Sequence, residues 1–120
     1  MKLTVLVPSY RRPDDLARCL KALQQQVRPA DQVVVVVRPD DYVTHTVLAE
    51  PGVTSTLPLE CVIVEVKGLV AALNLGLDKS NGDIIAITDD DAAPHRDWLQ
   101  RIEAAFASQQ QWLFHVAGDR

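Results

Sequence analysis

Three consecutive aspartates, Asp89, Asp90 and Asp91, follow directly on the apolar run IIAIT at residues 84–88. Neighbouring carboxylates repel one another, so this cluster costs folding free energy unless a cation or a hydrogen-bond donor meets it. Side chains two residues apart in an extended segment point to the same side, so Asp89 and Asp91 can share a hard cation such as Mg²⁺ or Mn²⁺. The pattern predicts a divalent-metal site; the competing interpretation is a solvated loop or a helix cap.

Basic side chains follow two other apolar runs of the chain. Arg11 and Arg12 come after the run that ends near Pro8, and Lys67 comes after the run VIVEV. Guanidinium and ammonium groups bind phosphates and carboxylates through charge-assisted hydrogen bonds. A divalent cation held by few carboxylates keeps coordination positions for substrate phosphates. Together the acidic and basic residues favour a ligand with a diphosphate group.

Side chains suited to a nucleobase lie beside these basic residues in the sequence. Tyr10 offers an aromatic face, and Asp40 or Asp41, after the run VVVVV, offers an acceptor for ring N–H groups or ribose hydroxyls. No GxGxxG sequence follows the first apolar run, so the fingerprint of a dinucleotide site is missing. A nucleoside diphosphate held through a metal is therefore the ligand that the sequence predicts.

Four β-branched apolar runs predict the strands that position these residues. Near-continuous runs of this kind are typical of strands covered on both faces. They alternate with segments of helical period, which predicts βαβ units, right-handed crossovers and a mostly parallel, doubly wound α/β sheet with helices on both faces. The carboxyl ends of such strands line one edge, where ligands bind. The predicted strands cover residues 3–7, 33–37, 62–66, 84–88 and, as a fifth, 112–116.

Apolar residues at helical spacing predict three helices between and after these strands. A shorter helix is predicted at residues 42–49, followed by a loop rich in proline and glycine. Pro13 and Pro94 are placed to open the first and the last of the three main helices. The predicted buried stripes are Leu16, Cys19, Leu20 and Leu23; Leu69, Leu73 and Leu77; and Leu99, Ile102 and Phe106.

Composition excludes several classes of protein. The 120 residues carry a net charge of −4, so there is no basic excess to neutralise the phosphates of a nucleic acid. No apolar run approaches the roughly 18 residues of a membrane span, and the N-terminal run is too short for a signal peptide. Cys19 and Cys61 are read as reduced core thiols. We expect a cytoplasmic protein, which partners could hold at the inner face of the membrane.

The chain resembles the nucleotide-binding half of a family 2 glycosyltransferase with the GT-A fold. Four segments carry the resemblance in the family's order: VLVPSYRR, VVVVVRPDD, GLVAALNLGLDKSNGDIIAITDDDAAP and WL. The resemblance implies inverting transfer of a sugar from a UDP- or GDP-sugar to an unidentified acceptor, with Mn²⁺ or Mg²⁺ on the diphosphate. The family's DxD falls on Asp89 and Asp91 as metal ligands. The implied nucleotide-binding residues are Pro8, Tyr10, Arg12, Asp40, Asp41, Lys67, Gly68, Asn74, Asp89 and Asp90.

Two departures from the family pattern bear on activity. Arg38 and Pro39 stand where the family commonly has an acidic pair, which leaves the choice between Asp40 and Asp41 open. Similar members continue well beyond residue 120 and carry the acceptor site and the catalytic base there. We therefore expect one nucleotide-sugar-binding domain over residues 1–120, incomplete at its C-terminus, with an unknown base and a tendency to form homo-oligomers. The alternatives are a non-catalytic nucleotide-sugar-binding or assembly module and a receiver-like domain that binds Mg²⁺.

Overall fold

The computed structural model describes residues 1–109 of the chain. These residues form a four-stranded sheet in the order β3-β2-β1-β4, and every pair of neighbouring strands is parallel. The sheet confirms the predicted α/β architecture. Its strands are β1 (Leu3–Pro8), β2 (Gln32–Val37), β3 (Leu59–Ile63) and β4 (Ile84–Ile87).

Helices cover both faces of the sheet and make two separate apolar cores. On one face lie α1 (Pro13–Gln24) and α5 (Trp98–Gln109), whose predicted apolar stripes are both buried. On the other face lies α4 (Leu69–Lys79), which packs against Leu6, Val34 and Val36. Because the central strands β1 and β2 are covered on both sides, both read as near-continuous apolar runs.

The third strand differs from the prediction in its position. It begins at Leu59 and ends at Ile63, whereas the apolar run had predicted residues 62–66. Leu59 lies opposite Val33 and Ile63 opposite Val37, so β3 ends level with β2. It is also an outer strand with Cys61 and Ile63 exposed, so its pattern carries less apolar signal than that of a central strand.

The helical segments contain further differences, and one of them is that α5 begins at Trp98 and not at Pro94. The helix predicted at residues 42–49 is present as α2 (Tyr42–Leu48), but a short helix, α3 (Pro51–Thr54), occupies part of the predicted loop. On α4 the buried positions are Ala72 and Gly76, while Leu69 is 61% exposed. A methyl group at Gly76 would overlap the Leu6 side chain, so this helix lies close to the sheet through its small residues.

The predicted fifth strand at residues 112–116 lies outside the described residues, and it stays a prediction. Within residues 1–109, no helix is long and apolar enough to cross a membrane.

Candidate functional site

A cavity of about 850 Å³ opens at the carboxyl ends of the strands. It lies where the parallel topology predicts a ligand site, between the loops that follow β1, β2, β3 and β4. Apolar side chains of the strands and of α4 form part of its wall, and the loops supply charged ones. The lining residues are Pro8, Ser9, Tyr10, Arg11, Arg12, Val36, Arg38, Asp40, Val64, Lys67, Gly68, Leu69, Ala72, Asp89, Asp90 and Asp91.

The three aspartates after β4 have different surroundings. Asp90 is buried and accepts hydrogen bonds from the Ser9 hydroxyl, at 2.9 Å, and from the Tyr10 backbone N–H. Burial raises the pKa of the Asp90 carboxyl, although these donors and nearby Arg12 lower it. Asp89 and Asp91 are exposed in the cavity. Asp90 also lines the cavity and anchors the triplet to the loop after β1, while Asp89 and Asp91 are the exposed carboxylates.

Arg12 is the cation closest to these carboxylates among the described residues. Its Nη1 lies 3.4 Å from Asp91 Oδ2 and 3.6 Å from Asp90 Oδ1. The backbone of Arg12 is fixed at the start of α1, where its carbonyl accepts a hydrogen bond from the Leu16 N–H. The side chain itself is 55% exposed, so the guanidinium reaches the site through a long side chain that is in contact with solvent.

The loop between β1 and α1 has a strained turn that presents its side chains to the cavity. Arg11 has a φ of 52°, a left-handed conformation that is uncommon for residues other than glycine. Its backbone N–H donates to Asp41 Oδ2 at 2.7 Å, which holds the turn. The Arg11 guanidinium lies over the Tyr10 ring, 5.1 Å from its centroid, and 3.6 Å from Asp40.

Asp40 and Asp41, which the sequence could not separate, lie in different environments. Asp41 is 1% exposed and is the N-cap of α2, where it accepts from the N–H and the hydroxyl of Thr44. It is absent from the cavity wall because the chain's own donors occupy its carboxylate. Asp40 is 57% exposed and does line the cavity. Asp40 is therefore the better placed of the two to accept a hydrogen bond from a nucleobase, whereas Asp41 does not line the cavity, and the nucleotide contacts of both stay predictions.

Arg38 lines the cavity, although in the sequence it stands out only as a departure from the family pattern. Its Nη1 donates to the carbonyls of Val64, at 3.3 Å, and of Glu65. These contacts tie the end of β2 to the loop that leads from β3 to α4. A basic residue at the carboxyl end of a strand was the available signal, but its partners are backbone carbonyls that no sequence motif marks.

Lys67, Gly68 and Asn74 had been predicted together, and the structure divides them. Lys67 and Gly68 line the cavity just before α4 begins, and Gly68 has a φ of 107°, which favours glycine. Asn74 lies farther along α4, is exposed and does not line the cavity. Its predicted contact with the nucleotide is not supported, because a residue one and a half turns into the helix is carried away from the edge of the sheet.

A divalent cation fits this site only if a substrate or water supplies part of its coordination sphere. No group of three His, Cys, Asp or Glu side chains within residues 1–109 is arranged to hold a metal ion by itself. Asp89 and Asp91 supply two hard carboxylates beside open space, which suits a cation that takes its other oxygens from water and from a substrate's phosphates.

The thiol of Cys19 lies beneath the acidic triplet. It donates to the backbone carbonyl of Asp89 at 3.8 Å from a buried position on α1. Burial, with a further contribution from the three carboxylates, raises its pKa to about 12. Cys19 is therefore a protonated packing residue of the site at neutral pH.

Comparison with known proteins identifies the class to which this fold and cavity belong. Residues 4–111 match the sequence model described as Glycosyl transferase family 2, so the chain belongs to that family. This membership confirms the predicted family and decides against the receiver-like alternative.

Individual relatives agree with this assignment. The chain is 33% identical over 101 residues to glycosyltransferase AglE of Haloferax volcanii, which covers 82% of the chain and 33% of the relative. It superposes with a TM-score of 0.79 and 32% identity on the mannosyltransferase PcManGT of Pyrobaculum calidifontis, solved in complex with GDP-Man and Mn²⁺; 88% of the chain and 32% of that protein are covered. TarS of S. aureus, at 23% identity, has the same fold with a TM-score of 0.81 over 92% of the chain and 33% of the TarS chain. The chain spans about a third of the length of AglE, of PcManGT and of the TarS fragment 1–349.

Proposed function

We propose that this chain binds a nucleoside-diphosphate sugar, a UDP- or GDP-sugar, with Mn²⁺ or Mg²⁺, and serves as the donor-binding part of an inverting glycosyltransferase. The observation that carries the proposal is the convergence of Asp89, Asp91, Arg12 and Asp40 on one cavity at the carboxyl ends of parallel strands. A relative at 32% identity that was solved with GDP-Man and Mn²⁺ supports it.

The acidic side of the cavity is the proposed position of the diphosphate. Asp89 and Asp91 would hold the metal together with phosphate oxygens, and the metal would supply charge stabilisation for the departing diphosphate. Arg12 and Lys67 line the same cavity and provide donors for phosphate oxygens. Asp90 is engaged with Ser9 and Tyr10, so its role is to fix the backbone that carries its two neighbours.

The opposite side of the cavity is the proposed position of the nucleobase and ribose. Val36, Val64 and Ala72 give this part an apolar wall, which suits the flat face of a base. Asp40 provides an exposed acceptor for ring N–H groups or ribose hydroxyls, and Tyr10 provides an aromatic face. The Arg11 guanidinium, close to both Tyr10 and Asp40, keeps these two side chains beside each other.

Transfer also requires a base that deprotonates the acceptor hydroxyl. Two acids after the triplet, Asp97 and Glu103, are engaged elsewhere: Asp97 pairs with Arg101 at 2.9 Å and Glu103 with Arg28 at 2.8 Å. Neither lines the cavity, so neither is proposed as the base. Asp119 lies outside the described residues. The acceptor, the cytoplasmic location and homo-oligomer formation stay predictions.

Isothermal titration calorimetry tests the proposal directly. UDP, GDP and their sugars are titrated into the chain with Mn²⁺ or Mg²⁺, and again in excess EDTA. We expect dissociation constants of about 10 μM to 1 mM with metal and no measurable binding in EDTA. Equal affinity in EDTA would contradict the metal-dependent site, and a preference between UDP and GDP would identify the base. A parallel assay of sugar transfer separates an active enzyme from a binding module.

A further inference from the structure

Arg12 occupies the position of a counter-ion in the acidic triplet. Its Nη1 is within 4 Å of two of the three carboxylates, at 3.4 Å from Asp91 and 3.6 Å from Asp90. The two other arginines of the cavity are placed differently: Arg11 pairs with Asp40, and Arg38 donates to backbone carbonyls. Among residues 1–109, Arg12 is thus the basic residue that forms ion pairs with the triplet.

This placement brings Arg12 into competition with a metal at Asp91. The same carboxylate oxygen, Asp91 Oδ2, is the closest contact of Arg12 and a predicted ligand of the cation. A guanidinium and a divalent cation that share one oxygen repel each other at close range. Arg12 and the metal do not compete for Asp90 in the same way, since this carboxylate is buried and accepts hydrogen bonds from Ser9 and Tyr10.

We infer that Arg12 is an exchangeable counter-ion: it neutralises Asp91 while the site is empty, and it moves to the diphosphate when metal and nucleotide bind. The inference rests on the proposed metal-dependent binding of a nucleotide. The Arg12 side chain is 55% exposed while its backbone is fixed at the start of α1. The guanidinium can therefore change position while the backbone stays in place. One cation thereby limits the repulsion in the free protein and pairs with the ligand's charge in the complex.

An exchange of this kind predicts effects of opposite sign from one substitution. Arg12→Gln removes the competitor, so Mn²⁺ alone should bind about threefold to fivefold more tightly than to the wild type, as expected for loss of an exposed ion pair. The same variant lacks the partner of the diphosphate, so UDP or GDP in saturating Mn²⁺ should bind at least about tenfold more weakly. A residue that only supports the loop would change both affinities in the same direction.

The experiment measures two affinities in each variant. Free Mn²⁺ is followed by electron paramagnetic resonance during titration of the protein, and nucleotide binding in saturating Mn²⁺ is followed by calorimetry. Arg18→Gln is the matched control, because it removes one positive charge from the exposed surface of the same helix, where Arg18 pairs with Asp15. Arg12→Lys keeps the charge without the guanidinium fork, and we expect nearly unchanged Mn²⁺ affinity with a partial loss of nucleotide affinity.

The outcomes separate this inference from the proposed function. Tighter Mn²⁺ binding together with weaker nucleotide binding in Arg12→Gln, with both affinities unchanged in Arg18→Gln, supports the exchange. Weaker or unchanged Mn²⁺ binding in Arg12→Gln, or unchanged nucleotide binding, overturns it while leaving the proposed function intact. A wild type that fails to bind nucleotide in Mn²⁺ overturns both. Thermal unfolding of each variant shows whether the fold is retained.

Discussion

The two ends of the sheet use aspartate in opposite ways. At the amino ends of the strands, Asp31 accepts a hydrogen bond from the Leu3 N–H at 2.7 Å, and Asp83 accepts one from the Lys2 N–H at 2.8 Å. At the carboxyl ends, Asp89 and Asp91 face a cavity, with the side chain of Arg12 beside them. The same residue type therefore connects strands at one end and leaves negative charge available at the other.

The difference shows that an acid's role depends on the donors that the fold places beside it. The hydrogen bond from the Leu3 N–H is the main reason that the pKa of Asp31 is lowered, with Arg28 acting in the same direction. Burial is the main reason that the pKa of Asp90 is raised, against the effect of the Ser9 hydroxyl. Asp41 shows that hydrogen-bond partners matter more than the end of the sheet at which an aspartate lies. It is at the carboxyl end, yet its carboxylate accepts hydrogen bonds from Arg11 and Thr44.

The largest expected effect is on ligand binding by Asp91→Ala. The substitution removes a predicted metal ligand, so nucleotide binding in Mn²⁺ should become undetectable at about 1 mM nucleotide. The Asp91 side chain is 54% exposed, and its partner among residues 1–109 is the exposed Arg12, so the free energy of unfolding should change by less than about 0.5 kcal/mol. Calorimetry and urea denaturation measure the two quantities. Retained binding would break the contrast between the two ends.

Asp41→Ala should lower the free energy of unfolding by about 1 to 3 kcal/mol, because it leaves the Arg11 N–H and the start of α2 without their acceptor. Its matched control is the adjacent Asp40→Ala, which should leave stability unchanged and weaken nucleotide binding by about 1 to 3 kcal/mol. Urea denaturation of both variants gives the comparison. Equal stability of the two would show that the buried carboxylate of Asp41 contributes nothing to the fold.

Asp31→Asn should lower the free energy of unfolding by about 0.5 to 1 kcal/mol at pH 7 through loss of the charge beside Arg28, without changing nucleotide affinity. Since the folded pKa of Asp31 is lowered, its stabilisation is complete above its unfolded value of about 3.9 and is lost as the pH falls through the folded value. Urea denaturation between pH 7 and pH 3 should therefore show that the free energy of unfolding falls less with decreasing pH in the variant than in the wild type. An identical pH profile would rule out this contribution.

The last expected effect does not involve ligand binding or stability: the two cysteines should differ in their rate of labelling. Cys61 is exposed on β3, whereas Cys19 is buried below Asp89 with a pKa of about 12. At pH 8 a thiol reagent should label Cys61 first and Cys19 at least about a hundredfold more slowly, since the thiolate is the reactive form. Cys61→Ser identifies the remaining signal. Rapid labelling of Cys19 would mean that the packing under the acidic triplet opens in solution.

Much of the fold could be predicted because local patterns and global packing agree. The continuous apolar runs of β1 and β2 follow from their coverage on both faces, and the stripes of α1 and α5 follow from the helical period. The prediction failed at β3, because this outer strand is exposed at Glu60, Cys61 and Ile63 and its register is fixed by β2. The short helix α3 was missed because its four residues carry too little periodicity.

The candidate site shows the same division. The charged strand ends, the acidic triplet and the family resemblance could be predicted from the sequence, because these depend on residue type and nearby spacing. That Asp40 and not Asp41 lines the cavity, that Asn74 does not and that Arg38 does follows from the folded structure alone. The reason is that the deciding partners are distant in sequence: Asp41 bonds to Arg11, 30 positions away, and Asp90 bonds to Ser9, 81 positions away.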